Sequence, residues 1–239
     1  MLLAMGSARP PAPSASPTLG EMLRASLWAR SISPDELSIV ERSIVERPVP
    51  AGAYACRKGE PVEHWIGCIA GLLKMTSLAP SGKVTTFTGL QAGSWFGEGS
   101  LLKDEARRYD VMAIRASRIA LMPKATFQWL LDNSIAFNRF LLLQLNERLG
   151  QFIGLVEYGR LLDVEGRVAR CLASLFNPVL YPGIGMQLAI SQEEIGYLAG
   201  VSRQRVNRAL KTLEQAELLR LEYGGLVVLD LDGLRTYGG

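Results

Sequence analysis

The sequence predicts an α+β chain: an N-terminal antiparallel β-roll, a long helix, and a small C-terminal domain of two helices and a hairpin. Three observations carry that prediction. Residues 48–122 are dense in glycine and in short apolar runs such as WIGCIAG, LLKMTSLAPSGKVTTF and SRIALM. Runs of this size bounded by Gly, Pro and Ser form strands and turns. After residue 124 the apolar pattern becomes helical, with Leu142, Leu145, Leu149, Phe152 and Val156 at steps of 3, 4, 3 and 4. Near the C-terminus two short helical patterns precede two apolar strands around Gly224-Gly225.

In chain order, MLLAMGSARPPAPSASPTLG lacks the positive head and long apolar centre of a signal peptide. Its Pro, Ala and Ser content predicts a disordered tail over residues 1–18. Residues 19–47 predict one or two helices, with Ser33-Pro34 as a helix start. The roll domain is expected over 19–134, with Ser81-Gly82 as a hairpin turn. A helical stretch then runs from about 124 to 161, its dimerising part placed at 135–161. The two heptads suggest either a parallel pair between two copies of the chain or docking on its own domain. Gly150 and Gly154 inside it permit close approach or a small bend, each at a cost of about 1 kcal/mol relative to Ala. LLDVEGRVARCLASLF opens a further helix, the loop NPVLYPGIG follows, and residues 162–239 form the last domain.

That domain has the clearest local grammar. In AISQEEIGYLAG, Ser191 is an N-cap and Glu194, three residues on, completes a capping box flanked by the staple Ile190–Ile195. Gly200 suits a tight turn, and Ser202 caps a second helix running to about Ala216. With the hairpin in ELLRLEYGGLVVLD this is a winged helix-turn-helix. Its second helix gathers Arg203, Gln204, Asn207 and Arg208 on one narrow face, with no acidic residue among them. The second helix of such a motif lies in the DNA major groove. Arg there offers a bidentate fork to guanine, and Gln or Asn pairs with adenine. A merely solvated polar face is the alternative. The capped pair before the helix and the hairpin after it point to double-stranded DNA.

Composition narrows the remaining classes. The chain has 239 residues, 48% hydrophobic, with a net charge of only +3, so any anion-binding surface must be local. No run approaches the roughly 18 apolar residues of a membrane-spanning helix, and a soluble cytoplasmic protein without membrane partners is expected. Cys56, Cys68 and Cys171 are too scattered for a disulfide framework or a metal site. They read as small buried hydrophobes, with a redox role left open. One histidine, His64, and no nucleophile–base constellation argue against an enzyme. Glu193-Glu194 are explained by capping and the helix dipole. A ligand-binding module that docks on other proteins is the alternative from another class.

The segment ISQEEIGYLAGVSRQRVNRALKTLEQAELL, together with the roll and the hinge-like LLDVEGRVA, resembles the Crp/Fnr regulators over roughly residues 20–235. The resemblance implies a homodimeric transcription regulator with a cyclic-nucleotide-binding-like roll, a dimerising helix, a winged helix, and RNA polymerase as a further partner. It makes Arg203, Gln204, Asn207 and Arg208 base-reading positions beside Ser202, and Ser191 and Gln192 phosphate contacts. WFGEGSLLKDEARRYDVMA resembles the family's phosphate-binding cassette. There, amides near Gly97 and Ser100 form an anion nest, Glu98 accepts from a ribose hydroxyl, and an arginine neutralises the cyclic phosphate. That arginine is Arg107, or Arg108 if the loop is one residue different. FGE can also be a structural turn whether or not anything binds.

Two departures stand out. Phe152 and Ile153 occupy positions where nucleotide-responsive members carry small hydroxyl residues that bond the base. Tyr109 and Asp110 directly follow the arginines. A carboxylate beside a phosphate costs Coulomb energy unless paired, so Asp110 is expected to partner Arg107 or Arg108. The effector is therefore cyclic AMP or another cyclic nucleotide, a different small molecule, or none. Residues 1–50 lack the cysteines of the oxygen-sensing branch, and His64 beside Trp65 reads as a strand-edge residue rather than a haem ligand.

Overall fold

Three short helices, α1 (Leu19–Ala25), α2 (Leu27–Ser31) and α3 (Pro34–Ser43), lead into the roll, one more than the sequence predicts. The computed structural model describes residues 17–238 except 80, 83, 183 and 184. The tail expected over 1–18 therefore falls, up to residue 16, outside the described residues. Thr18 and Ser33 each head a capping box, with Glu21 and Glu36, and Pro34 takes the first position of α3.

Two four-stranded antiparallel sheets form the roll. One has the order β1 (Val45–Val49), β8 (Ser117–Pro123), β3 (His64–Ala70), β6 (Trp95–Phe96); the other is β2 (Tyr54–Cys56), β7 (Asp110–Ala113), β4 (Leu72–Leu78), β5 (Val84–Gln91). A short α4 (Glu98–Lys103) follows β6, and Ser81-Gly82 lies in the β4–β5 connection, with Gly82 at φ 81°. Strand β3 is buried on both faces, and the pleat sorts its side chains. Ile66 and Cys68 meet Leu73, Met75 and Leu90 between the sheets, whereas Trp65 and Ile69 face the helices. On the helical side Trp65 stacks 4.5 Å from Trp95, Trp28 lies 5.2 Å from Trp95, and Phe127 and Phe137 close the cluster. Such aromatic pairs each contribute about 0.5–1.5 kcal/mol beyond their burial. Gly67 makes the stack possible, because a Cβ there would overlap Trp95 and Met22.

The helical stretch expected from 124 to 161 is divided. α5 (Lys124–Asn133) ends at the buried Ser134, whose hydroxyl caps α6 (Ile135–Leu161) by accepting from the Phe137 amide. Phe137, Phe140 and Leu141 are buried on the roll domain, and further along α6 Gln144, Arg148 and Gly154 are buried as well.

The C-terminal domain comprises α7 (Val164–Ser174), β9 (Gln187–Leu188), α8 (Gln192–Ala199), α9 (Arg203–Gln215), β10 (Leu219–Glu222), β11 (Gly225–Val228) and α10 (Leu231–Thr236), with sheet order β10-β11-β9. Val168, Leu172, Ile195, Val206, Leu210, Leu213 and Leu226 form its core. Gly200 turns the chain at φ 66°, and Gly196 lets the α8–α9 corner close, since a Cβ there would sit 2.8 Å from the Val201 carbonyl. The predicted α+β order of roll, long helix and winged helix-turn-helix is thus the observed one. The domain also leans on the roll. Leu72 joins its core, Arg115 pairs with Glu194 at 2.8 Å, and the Tyr181 hydroxyl donates to the Gly89 carbonyl at 2.9 Å.

Candidate nucleic-acid interface and effector cassette

Helix α9 buries Val206, Ala209, Leu210 and Leu213 and turns Arg203, Gln204, Arg205, Arg208 and Lys211 to solvent. Ser202 starts it, its hydroxyl accepting from the Arg205 amide at 3.4 Å. Among the described residues, no carboxylate forms an ion pair with any cation of that face. Gln204, Arg208 and Lys211, at i, i+4 and i+7, mark the centre of the face opposite the core. Sequence reasoning singled out neither Arg205 nor Lys211. The helical step from Gln204 was the signal available for Lys211. Asn207 behaves differently from its neighbours: half-buried, it donates from its side-chain amide to Gln192 Oε1 at 3.1 Å and ties α9 to the start of α8. Ser191 caps α8, and Glu194 returns the bond to the Ser191 amide at 2.7 Å.

The cassette lies on the roll around α4. Gly97 adopts φ 97°, and a side chain there would collide with the Arg107 guanidinium. Ser100 and Glu98 are buried in the first turn of α4. Glu98 is engaged by its own chain: Arg148 Nε of α6 lies 3.5 Å from one oxygen, and Trp65 Nε1 donates to the other at 3.4 Å. Arg107 is only 4% exposed and donates from Nη2 to the His64 carbonyl at 2.6 Å. Arg108 points the other way, exposed, and grips Glu105 with bonds of 3.0 and 2.6 Å. Of the two candidate arginines, the fold thus turns Arg107 inward.

Asp110 pairs with neither arginine, contrary to expectation. It accepts from the Lys58 amide at 2.9 Å, because β7 runs beside the β2 turn and brings that N–H closer than either guanidinium. Two guanidinium atoms remain unpartnered here, Arg107 Nη1 and Arg148 Nη1, both buried. Tyr109 packs at the edge of the roll core near Glu98 and both arginines, and burial pushes its phenol above the ordinary range. Sequence reasoning did not find Arg148 and Trp65 as partners of Glu98. No local pattern marks them, because the contacts join residues far apart in the chain.

On α6 the outward apolar stripe is Ile135, Leu142, Leu149, Ile153 and Val156, between 55% and 72% exposed. Leu145 is half-buried. Phe152 turns off the expected seam toward the roll, edge-on to Phe87 at 6.1 Å. Cys56 and Cys68 are buried in the roll core and Cys171 sits half-buried on α7, all as free thiols. Burial pushes the Cys56 thiol up to about 11 and the Cys68 and Cys171 thiols up to about 12. His64 opens β3, and partial burial lowers its pKa. Among the described residues, no helix is long and apolar enough to cross a membrane.

Comparison with known proteins matches this geometry. The family model "Cyclic nucleotide-binding domain" matches residues 46–134, and "Crp-like helix-turn-helix domain" matches residues 166–237. The cAMP-activated global transcriptional regulator CRP of Haemophilus influenzae is 30% identical over 183 residues, covering 75% of this chain and 81% of that protein. The CRP-like cAMP-activated global transcriptional regulator of Mycobacterium tuberculosis is 26% identical, covering 89% of this chain and 96% of its own length. In fold, the chain is similar to the structure of FixK2 from Bradyrhizobium japonicum, with a TM-score of 0.66 at 18% identity over 82% of this chain and 98% of that one. The chain belongs to the Crp/Fnr family of DNA-binding transcription regulators.

Proposed function

We propose that the protein works in the cytoplasm as a homodimer. The α9 helix of each subunit reads the major groove, the roll answers to a small anionic effector, and RNA polymerase is the downstream partner. The observation that carries the DNA reading is the exposed, carboxylate-free face of α9. Arg203, Gln204 and Arg208 are assigned to base edges, with Arg205 and Lys211 beside them, and Ser191, Gln192 and Ser202 to the flanking backbone. Asn207 supports them through Gln192. Arg208→Ala is expected to cost about 1–3 kcal/mol of specific binding. Equal loss on operator and random duplex in a gel-shift titration would reject base reading by this residue.

The α6 stripe supports pairing of two subunits, since solvent-exposed residues at heptad spacing leave an apolar seam to cover. Leu149→Glu is expected to convert the dimer to monomer in sedimentation velocity; a dimer that persists overturns the stripe as the seam.

Buried, unpartnered nitrogens on Arg107 and Arg148 support an anionic effector such as a cyclic nucleotide. Phe152 and Ile153 offer a base no hydrogen bond. A second reading, an effector-independent regulator, is favoured by Glu98 being held by Arg148 and Trp65 and Arg107 by His64. Measuring operator affinity with and without cyclic AMP and related nucleotides separates the two; identical affinities support the second reading.

A further inference from the structure

Residues 177–182, between α7 and β9, press into the roll. Asn177 builds the turn: its side-chain oxygen accepts from the Val179 and Leu180 amides, both at 2.9 Å, and its carbonyl accepts from the Tyr181 amide at 2.9 Å. Tyr181 is thereby carried into the interior, where it is 1% exposed. Its hydroxyl donates to the Gly89 carbonyl at 2.9 Å, lies 3.0 Å from Thr88 Oγ1, and accepts from Gln151 Nε2 at 3.2 Å. One oxygen of the C-terminal domain is thus held by β5 of the roll and by α6.

Packing alone would be served by a phenylalanine at this position. A buried hydroxyl with three polar neighbours instead fixes one arrangement of the elements that supply them, because any shift strands polar groups away from water. The backbone fits closely around it. Gly93, at φ 89°, admits the Pro182 carbonyl, which a Cβ there would meet at 2.8 Å, and Gln91 donates to the Leu175 carbonyl. A second anchor lies at the start of α8, where Arg115 of the roll pairs with Glu194 and donates to the Ala189 carbonyl at 2.6 Å. Along the chain, only Leu162 and Asp163 join α6 to α7, both with extended backbone. These contacts, not the linker, therefore set where the domain points. In that pose Arg203, Gln204 and Arg208 remain exposed, so the dock orients the domain without covering the polar face of α9.

We propose that Tyr181 is a latch: its hydroxyl fixes the DNA-binding domain of each subunit in the orientation that lets both α9 helices engage one operator together. The inference rests on the reading of the protein as a dimer whose α9 helices enter the major groove. Two half-sites about one helical turn apart accept only one relative placement of the two helices. A domain already held in that placement binds both without a further ordering cost, whereas a loosened domain must be ordered at every binding event. A single half-site makes no such demand, so the latch leaves its affinity alone.

Fluorescence anisotropy of the full-length protein on two duplexes tests the latch. One is an operator selected from a random library by the parent protein; the other is the same duplex with one half-site scrambled. Tyr181→Phe keeps the ring, removes the hydroxyl and should remain dimeric in sedimentation velocity. It is expected to weaken binding to the intact operator about fivefold or more and to leave the scrambled duplex within about twofold of the parent. Arg115→Gln is expected to show the same pattern more weakly, since its ion pair is partly exposed. Arg208→Ala weakens both duplexes, which separates failure of the α9 reading from failure of the latch. Should Tyr181→Phe unfold, Gln151→Leu removes the donor from the α6 side and decides on the same two duplexes. The proposal falls if Tyr181→Phe binds the intact operator as tightly as the parent, binds it more tightly, or loses equally on both duplexes.

Discussion

The face of α9 and the cassette around α4 use the same residue type in opposite ways. On α9, Arg203 and Arg208 stand in solvent, and among the described residues no carboxylate pairs with either. In the cassette, Arg107 and Glu98 are turned inward and bonded to His64, Arg148 and Trp65 of the same chain. An arginine whose partner is another molecule can be removed without disturbing the fold. One whose partner is a buried group of its own subunit cannot. The contrast separates what the protein presents from what it keeps, and it is open to test by removing arginines from each side.

The largest effect is expected at Arg148. Its side chain and that of Glu98 are 8% and 5% exposed, so Arg148→Met leaves a carboxylate buried beside Trp65 with its charge uncompensated. A loss of about 3 kcal/mol in urea unfolding follows. The double variant with Glu98→Gln should recover part of it, because the orphan charge is gone. An additive double variant would break the comparison, showing that the pair contributes no coupling. Arg208→Ala, by contrast, should leave the unfolding midpoint in place and act only on DNA. Loss of fold stability there would mean the α9 face is not free.

The same contrast decides what was legible in the sequence. Capping boxes, the glycine at the α8–α9 corner and the α9 stripe are local, set by residues within a few positions of one another. Ser191, Glu194, Gly200 and Ser202 accordingly take their expected places. Division of the long helix falls at Ser134, where the expected 135–161 helix begins: the apolar spacing continues across the break, but the serine hydroxyl caps the new helix. Partner choice in the cassette was hidden. Glu98 finds Trp65 and Arg148 from 33 positions before it and from α6 after it, and Asp110 finds the Lys58 amide 52 positions away. Spacing offered Arg107 or Arg108 as the candidate cassette arginine. Which of them turns inward depends on the backbone clamp in which the Arg107 amide donates to the Glu60 carbonyl at 2.9 Å and its carbonyl accepts from Gly59.

A smaller effect reports on that inward turn. Cys56 lies in the roll core, where burial pushes its thiol up to about 11 while the nearby Arg107 charge pulls it down. In the unfolded chain the thiol ionises near its ordinary value of 9. The fold therefore holds this proton more tightly than the unfolded chain does. The associated stability is complete below pH 9 and is lost as pH rises toward 11. Arg107→Gln should extend the loss to higher pH and slow alkylation of native Cys56 at pH values between these limits. An unchanged alkylation profile would place the Arg107 charge elsewhere than beside the core.

The smallest effect is expected on the outer side of the cassette, where Arg108 holds Glu105. The two bonds are short, and they hold the Glu105 carboxyl at about 2, well below its ordinary value of 4.5. Any stability tied to that shift is present above pH 4.5 and fades as pH falls toward 2. Yet the Arg108 side chain is 69% exposed, so water and salt screen the pair and its ordering entropy offsets much of the attraction. Glu105→Gln should leave the urea midpoint unchanged at moderate salt, despite geometry better than that of the buried Glu98–Arg148 contact. Burial rather than distance then ranks the two ion pairs. A clear midpoint shift for Glu105→Gln would reverse that ranking and return Arg108 to contention as the arginine that serves the cassette.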